Sequence, residues 1–263
     1  TDGNGLFVKE KKSGNALRKL PIPNTAIVCI LEDKKNRIWV GTYQKGLFCY
    51  ENGKMVQYTT DNSKLSNNDK SSLKEDRYGN IWIGTLGGKI HLLPSGTKDF
   101  SDLLSPFEEN VHAFDIFYDG GDKIYIATVN GLSVIDITNN KKMTFSGNQK
   151  GTQEFKQNRI FNVYKDNRDI LWLGHNSGLD IWDQKMDTIY NFNKNQGLCD
   201  NSVSGIVGDD SNNIWVTTSN GFSILTVIRD AQDKLKITSK NYSVKDGLMD
   251  NFFNSHSISK LRN

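Results

Sequence analysis

Long apolar runs are missing from this sequence. The longest uninterrupted run is six residues, 26–31, whereas a membrane-spanning helix needs about 20. We therefore expect no transmembrane helix within these 263 residues.

Cysteine and histidine are also scarce. The cysteines are Cys29, Cys49 and Cys199, an odd number without a Cys-x-x-Cys pair, and there are four scattered histidines. This pattern argues against a disulfide framework and against a zinc knuckle. The sequence predicts neither a metal site nor a cofactor.

Neither sign of charge dominates. The chain has 33 basic and 30 acidic residues, for a net charge of +3, and its Lys and Arg are scattered rather than aligned in a stripe. A nucleic-acid partner is therefore not expected. With 36% hydrophobic and 24% charged residues, the composition is that of an ordinary globular protein.

An internal repeat is the strongest signal in the chain. An aspartate precedes an aromatic residue by six positions in five successive units, and both series advance by 43, 43, 47 and 43 residues. Repeats of this period are typical of propellers, solenoids and arrays. The pairs are Asp33 and Trp39, Asp76 and Trp82, Asp119 and Tyr125, Asp166 and Trp172, and Asp209 and Trp215.

Glycine and asparagine recur in the same frame. A glycine follows the aromatic residue by six or seven positions, and an asparagine precedes the aspartate by eight or nine. The glycines are Gly46, Gly88, Gly131, Gly178 and Gly221, and the asparagines are Asn24, Asn68, Asn110, Asn158 and Asn201. Both residue types are typical of tight turns.

Each unit reads as four short strands joined by polar turns. In the first full repeat we expect strands over 27–32, 37–42, 47–50 and 55–59, because these segments are apolar and bounded by Gly, Asn and Asp. The second strand is apolar on consecutive residues, so both of its faces must be covered. Four-stranded antiparallel units of about 43 residues, stacked radially, form the blades of a β-propeller. The predicted fold is therefore an all-β propeller.

The repeat also predicts the blade boundaries. We expect one propeller segment over 1–263, with five full blades and partial blades at both ends, in a parent ring of seven. The expected boundaries are a partial blade 1–24, blades 25–68, 69–110, 111–158, 159–201 and 202–250, and the start of a further blade at 251–263.

The repeated aspartate and aromatic residue have structural explanations. The aspartate side chain can close a turn between the first and second strands, and the aromatic residue can pack between blades. Calcium binding is the alternative for the aspartates, but carboxylates on successive blades would lie far apart. We therefore favour the structural interpretation.

The consensus Asp-x-x-x-Asn/Gly-x-Ile-Trp-Ile-Gly-Thr-x-x-x-Gly-Leu resembles the two-component regulator propeller repeat. The resemblance covers essentially the whole chain, with departures at 125–128, His175 and Thr217. It implies a periplasmic sensor region in an inner-membrane hybrid histidine kinase and response regulator, in which a phosphorelay controls carbohydrate-utilisation genes. The tail 246–254 resembles the entry to the family's final blade, before an immunoglobulin-like domain. The implied partners are an oligosaccharide, that domain and a neighbouring propeller.

A ligand would be expected where the second-to-third strand turns meet the blade connections. Amides and aromatic rings at this end suit sugar hydroxyls and apolar sugar faces. The alternatives are that these residues merely form turns, that His175 fills a threonine position, or that the surface makes homodimer contacts. The candidate residues are Tyr43, Gln44, Asn130, His175, Asn176, Ser219 and Asn220.

Three functions remain open from the sequence. The first is a non-catalytic sensor, and the second is a dimerisation or interaction scaffold without a small ligand. The third is a propeller glycosidase or lyase, for which the acidic pairs Glu108-Glu109 and Asp209-Asp210 are candidates. Adjacent strand residues point to opposite faces, so the sensor is favoured.

Overall fold

The computed structural model describes residues 5–9, 17–97, 101–102, 112–146, 155–255 and 258–259. Within these ranges the chain is built from 22 β-strands and two single-turn 3₁₀ helices. It divides into two compact units, Thr1–Gly121 and Asp122–Asn263. Asn110 and the Glu108-Glu109 pair lie outside the described residues.

The first unit contains a two-stranded sheet, β1-β2, and two four-stranded antiparallel sheets, ordered β3-β4-β5-β6 and β10-β9-β8-β7, and it ends with β11. Its strands are β1 (Phe7–Lys9), β2 (Leu17–Lys19), β3 (Ile27–Glu32), β4 (Ile38–Thr42), β5 (Leu47–Glu51), β6 (Lys54–Tyr58), β7 (Lys70–Glu75), β8 (Ile81–Thr85), β9 (His91–Leu93), β10 (Ser101–Asp102) and β11 (Ala113–Tyr118).

The second unit begins with β12, β13 and β14, paired in that order, and continues with the four-stranded sheets β15-β16-β17-β18 and β19-β20-β21-β22. Its strands are β12 (Lys123–Thr128), β13 (Gly131–Asp136), β14 (Lys141–Phe145), β15 (Asn162–Lys165), β16 (Ile170–His175), β17 (Gly178–Asp183), β18 (Thr188–Phe192), β19 (Val203–Gly208), β20 (Ile214–Thr218), β21 (Gly221–Arg229) and β22 (Leu235–Tyr242).

The predicted all-β fold of four-stranded antiparallel sheets is confirmed. In the first full sheet, the four observed strands differ from the expected ones by at most one residue at either end. All residues of β8 and β16 are buried, as the consecutive apolar residues of the second strand require. The outer strand β6 is mostly exposed. The blade count and domain boundaries stay predictions.

The sequence did not indicate a register shift in the first strand of three sheets. The pairing slips between Ile27 and Cys29, between Lys70 and Leu73, and between Val203 and Gly205. Such bulges bend a strand and increase its twist. The bulge thus recurs in the same strand of these three sheets.

Two short 3₁₀ turns were also missed by the sequence analysis. They span Lys194–Gln196 and Val244–Asp246, and each has a capping box followed by a left-handed glycine. The glycines are Gly197 and Gly247. Each turn ends an outer strand and leads into a Leu-x-x-Asn segment.

Candidate functional site

The repeated aspartate fixes the turn between the first and second strands. Asp33 Oδ1 accepts hydrogen bonds from the backbone N–H groups of Lys35 and Arg37, both at 2.9 Å. Its Oδ2 accepts from Trp39 Nε1 at 2.8 Å and from Arg37 Nε at 2.6 Å. The carboxylate thus joins the turn to the buried indole of the next strand.

The same bond from carboxylate to indole recurs in three other repeats. The Nε1 atoms of Trp82, Trp172 and Trp215 donate to the repeated aspartates at 2.9, 3.2 and 2.9 Å. Asp119 instead accepts from the backbone of Gly121 at 2.9 Å, and Tyr125 is buried. Over the described residues, no group of three or more His, Cys, Asp or Glu side chains could hold a metal ion.

Electrostatics of these turns reflect two opposing influences. Burial raises the pKa of the Asp33 carboxyl, but hydrogen bonds from Trp39 and Arg37 outweigh it and leave the pKa below the ordinary 3.8. For Asp209, burial likewise opposes hydrogen bonds from Trp215 and Asn213, and the net result is again a lowered pKa. Donors directed at the charged form stabilise it.

At the opposite end of the sheets, the repeated asparagine holds the blade connection in place. The carbonyls of Asn68, Asn201 and Asn251, the last of which closes the next Leu-x-x-Asn segment, accept the N–H groups of the repeated glycines Gly46, Gly178 and Gly221 at 3.0, 2.8 and 2.6 Å. Their side-chain oxygens accept backbone N–H groups from the preceding turn at 2.7–3.0 Å. These asparagines therefore act as turn formers.

In the first unit, Tyr43 and Gln44 lie in a turn that the blade connection supports. The Tyr43 N–H donates to Ala26 O at 3.0 Å, and the Gln44 N–H donates to Asp69 Oδ1 at 2.6 Å. The Tyr43 side chain is 48% exposed, and Gln44 is exposed with φ of 65°. The backbone is fixed while both side chains face solvent.

In the second unit, the predicted residues occupy equivalent turns. Ser219 Oγ donates to Asp200 Oδ1 at 2.9 Å, and the Ser219 N–H donates to Ser202 O at 3.0 Å. This places a second-to-third strand turn beside a blade connection, as expected. Asn130, Asn176 and Asn220 are exposed.

His175 differs from the other candidates because its side chain is only 1% exposed. Its Nδ1 accepts the Ser177 N–H at 3.0 Å, the bond that Thr218 Oγ1 accepts from Asn220 at 3.2 Å in the next sheet. Its Nε2 lies 3.5 Å from Asp180 Oδ1. The imidazole fills the repeat's threonine position, so a ligand at this turn would meet Asn176 first.

Sequence analysis missed a set of buried acceptors on the third strand. His91 Nε2, Asp180 Oδ2 and Ser223 Oγ accept the backbone N–H groups of Ser66, Lys156 and Cys199 at 3.0, 2.8 and 2.9 Å. All three acceptors face the residue after the repeated Trp. That register could have revealed them, although their chemical types differ.

Ser66 and His91 have a spacing that also occurs in nucleophile–base pairs. Ser66 Oγ lies 2.8 Å from His91 Nε2. However, the same nitrogen accepts the Ser66 backbone N–H, and Ser66 Oγ accepts the Lys89 N–H at 2.8 Å. Asp180 and Ser223 accept the equivalent backbone N–H groups in other sheets. We therefore interpret this contact as structural.

A cavity of about 220 Å³ opens at the first-to-second strand turns of the second unit. It includes Asp209 and Asp210, one of the acidic pairs predicted as glycosidase candidates. The Asp209 carboxylate already accepts hydrogen bonds from the backbone of its own turn and from Trp215 Nε1. The lining residues are Tyr164, Asp166, Asn167, Gly208, Asp209, Asp210, Asn212 and Ile214.

Several solved propeller structures resemble this chain. The extracellular domain assigned to a hybrid two-component system of B. thetaiotaomicron matches with a TM-score of 0.71 and 24% identity, over 87% of this chain and 30% of that one. PorZ, a surface component of the type-IX secretion system of Porphyromonas gingivalis, matches with a TM-score of 0.64 and 17% identity, over 87% and 35%.

Virginiamycin B lyase from Staphylococcus aureus also matches, with a TM-score of 0.62 and 13% identity, over 88% of this chain and 74% of the lyase. Likeness at these identities establishes the fold. The chain spans about 30–43% of the length of the B. thetaiotaomicron extracellular domains. No curated protein matches it.

The family comparison agrees with the repeat. The model of the two-component regulator propeller matches residues 21–44 and 64–87, which include β4 and β8 with their Ile-Trp-x-Gly-Thr sequences. In the described ranges, no helix has the length and apolarity of a membrane span. The chain therefore has a β-propeller fold and carries repeats of the two-component regulator propeller family.

Proposed function

We propose that this chain is part of a non-catalytic periplasmic sensor propeller that recognises an oligosaccharide. In the parent protein it would bias a histidine kinase and thereby control carbohydrate-utilisation genes. The repeat match and the fold shared with two-component extracellular domains support this proposal. A neighbouring propeller and an immunoglobulin-like domain would transmit the bias as a shift in population between two arrangements.

The observation that carries the proposal is the contrast between fixed backbone and exposed side chains at one end of the sheets. Backbone hydrogen bonds hold these turns. In the first unit the Tyr43 side chain reaches solvent, and in the second unit the amides of Asn176 and Asn220 do so. Because the backbone of these turns is already fixed, binding has to order only the side chains. An aromatic ring suits a sugar's apolar face, and side-chain amides suit its hydroxyls.

Calorimetric titration against oligosaccharides from plant and host glycans tests the proposal. We expect saturable binding to one glycan class, without turnover of the sugar by product analysis. Cleavage of the glycan would overturn the non-catalytic assignment. If neither this chain nor its complete extracellular region bound any glycan of the panel, oligosaccharide sensing would be refuted.

Tyr43→Ala provides the residue-level test. We expect it to weaken binding by about tenfold, the equivalent of ~1.4 kcal/mol. Tyr78→Ala is the matched control, because Tyr78 is a similarly exposed tyrosine, at 51%, in a first-to-second strand turn at the other end of its sheet. Equal losses in both variants would place the ligand elsewhere.

An interaction surface is a second candidate function, and a specific patch favours it. Val244, Met249 and Phe252 are 47, 104 and 61% exposed within one short segment. Exposed apolar clusters often mark contacts between proteins or domains. We expect Met249→Lys with Phe252→Ser to lower the self-association measured by sedimentation. An unchanged sedimentation profile would count against a homodimer through this patch.

A further inference from the structure

The 220 Å³ cavity of the second unit has a counterpart in the first unit, where a lysine side chain occupies the groove. Lys34 follows the repeated Asp33. Its Nζ donates to the backbone carbonyls of Asp76 at 3.0 Å and Arg77 at 3.3 Å. Its backbone N–H donates to Glu75 Oε2 at 2.9 Å. An ammonium group therefore bridges two successive turns.

Alignment on the repeat shows what changes in the second unit. Asn167 stands at the position of Lys34, so the residue at this point supplies no ammonium. Gly208 stands at the position of Glu75, and a Cβ there would overlap Tyr164 Oη. Asp209 and Asp210 stand at the positions of Asp76 and Arg77. By this alignment, the cavity corresponds to the space that Lys34 occupies in the first unit.

The side-chain charges of the groove also change. Arg77 of the first unit is replaced by Asp210, which exchanges a positive for a negative side chain beside the carbonyl groups. Asp166 is paired with Arg168 at 2.6 Å, and Asp209 accepts hydrogen bonds from its own turn. Asp210 adds a negative charge at the position of Arg77, and Gly208 removes the negative charge of Glu75.

We propose that this cavity binds the primary ammonium group of a small solute. A compact ammonium carries three N–H donors, and the geometry of Lys34 shows how the turn carbonyls at equivalent positions accept two of them. Charge-assisted bonds of this kind are stronger than neutral ones. The cavity is below the range of about 300–1,000 Å³ typical of drug-sized ligands, so it suits a headgroup. This site goes beyond the proposed function, because it lies at the other end of the sheets from Asn176 and Asn220.

An NMR titration of the ¹⁵N-labelled chain tests the proposal. The ammonium probes are Nα-acetyl-lysine methylamide, glucosamine and spermidine, which separate an amino-acid side chain, an amino sugar and a polyamine. N-acetylglucosamine and tetramethylammonium are the controls, since the first lacks charge and the second lacks N–H donors. We expect saturable shifts at Asn167, Asp210 and Asn212, with at least about tenfold weaker binding of both controls.

Two substitutions and a matched gain-of-function variant locate the site. Asn167→Lys should fill the cavity with the chain's own ammonium and weaken probe binding at least about tenfold. Asp210→Asn should weaken it while leaving the fold unchanged, which keeps the test valid if the first variant folds poorly. Lys34→Asn should open a second site, with new shifts at Asp76 and Arg77.

Three results would overturn the proposal. They are probe binding that is unchanged by both Asn167→Lys and Asp210→Asn, equal affinity for tetramethylammonium, and the absence of saturable shifts in the wild-type chain. Glycan binding does not enter any of these readouts, so failure here leaves the sensor proposal to its own test.

Discussion

Replacing Asp76 by asparagine should reveal how strongly the turn carboxylate is coupled to the buried indole. Asp76 Oδ1 accepts the N–H groups of Tyr78 and Asn80 at 2.9 and 3.0 Å. Its Oδ2 accepts Asn80 Nδ2 and Trp82 Nε1, both at 2.9 Å. An amide in either orientation must direct its NH₂ group at two of these donors.

The size of the expected destabilisation depends on which N–H donors can find another acceptor. The Asn80 side chain is half-buried, and its other contact, from the Ser95 N–H at 2.9 Å, is exposed, so water can replace both bonds. Trp82 is 2% exposed, so water cannot reach its N–H in the same way. A buried donor left without an acceptor costs about 1–3 kcal/mol. We therefore expect Asp76→Asn to lower the free energy of unfolding by about 2 kcal/mol.

A double-mutant cycle isolates the indole contribution. Trp82→Phe removes the stranded donor, so Asp76→Asn in that background should cost only about 1 kcal/mol, a coupling of about 1 kcal/mol. Urea unfolding followed by far-UV circular dichroism measures all four proteins without relying on tryptophan fluorescence. Asp61→Asn, at an exposed turn, is the control and should change stability by less than about 0.5 kcal/mol.

Additive effects in the cycle would refute the reasoning, because they would mean that the carboxylate and the indole contribute independently. An Asp76→Asn variant with the same free energy of unfolding as the wild type would refute the reasoning more directly. Either result would leave the recurrence of the aspartate explained by the turn alone.

Three further predictions concern backbone geometry and charge. Gly178→Ala should destabilise the chain by about 1–3 kcal/mol in urea unfolding, because φ is 111° and a Cβ would lie 2.5 Å from Phe192 O; wild-type stability would contradict this. The pKa values of Asp33 and Asp209 are lowered in the folded state, so both carboxylates stabilise the fold above pH 3.8. This stability is lost as the pH falls through their folded-state pKa values. The double variant Asp33→Asn with Asp209→Asn should therefore show a smaller loss of unfolding free energy at acid pH than the wild type. An unchanged loss would argue against it. Burial lowers the pKa of Lys70 to about 8, so wild-type stability should rise between pH 8 and 10.5, where only the unfolded state keeps the proton, and Lys70→Met should remove that rise; a variant that retains it would show that another group is responsible.

The candidate ligand surface was only partly accessible to sequence reasoning. Turn position follows from the order of strands, so the placement of Tyr43, Asn176 and Asn220 at strand ends could be predicted. Burial depends on neighbouring side chains, and the sequence could not show that His175 takes a threonine's internal hydrogen bond. For the same reason the sequence did not indicate His91 as an acceptor, because this role depends on the pairing of its strand with the neighbouring strand.

The sequence by itself determined the repeat, the four-stranded antiparallel units, the buried second strands and the turn role of the aspartate. These features are local, since a strand's period and a turn's side-chain bonds need only a few neighbouring residues. Tertiary structure alone decided which turns meet, and therefore that Lys34 fills one groove while Asn167 leaves another open. The Lys34 contacts that form the first groove join residues 41–43 positions apart, and no local pattern encodes the distance between them.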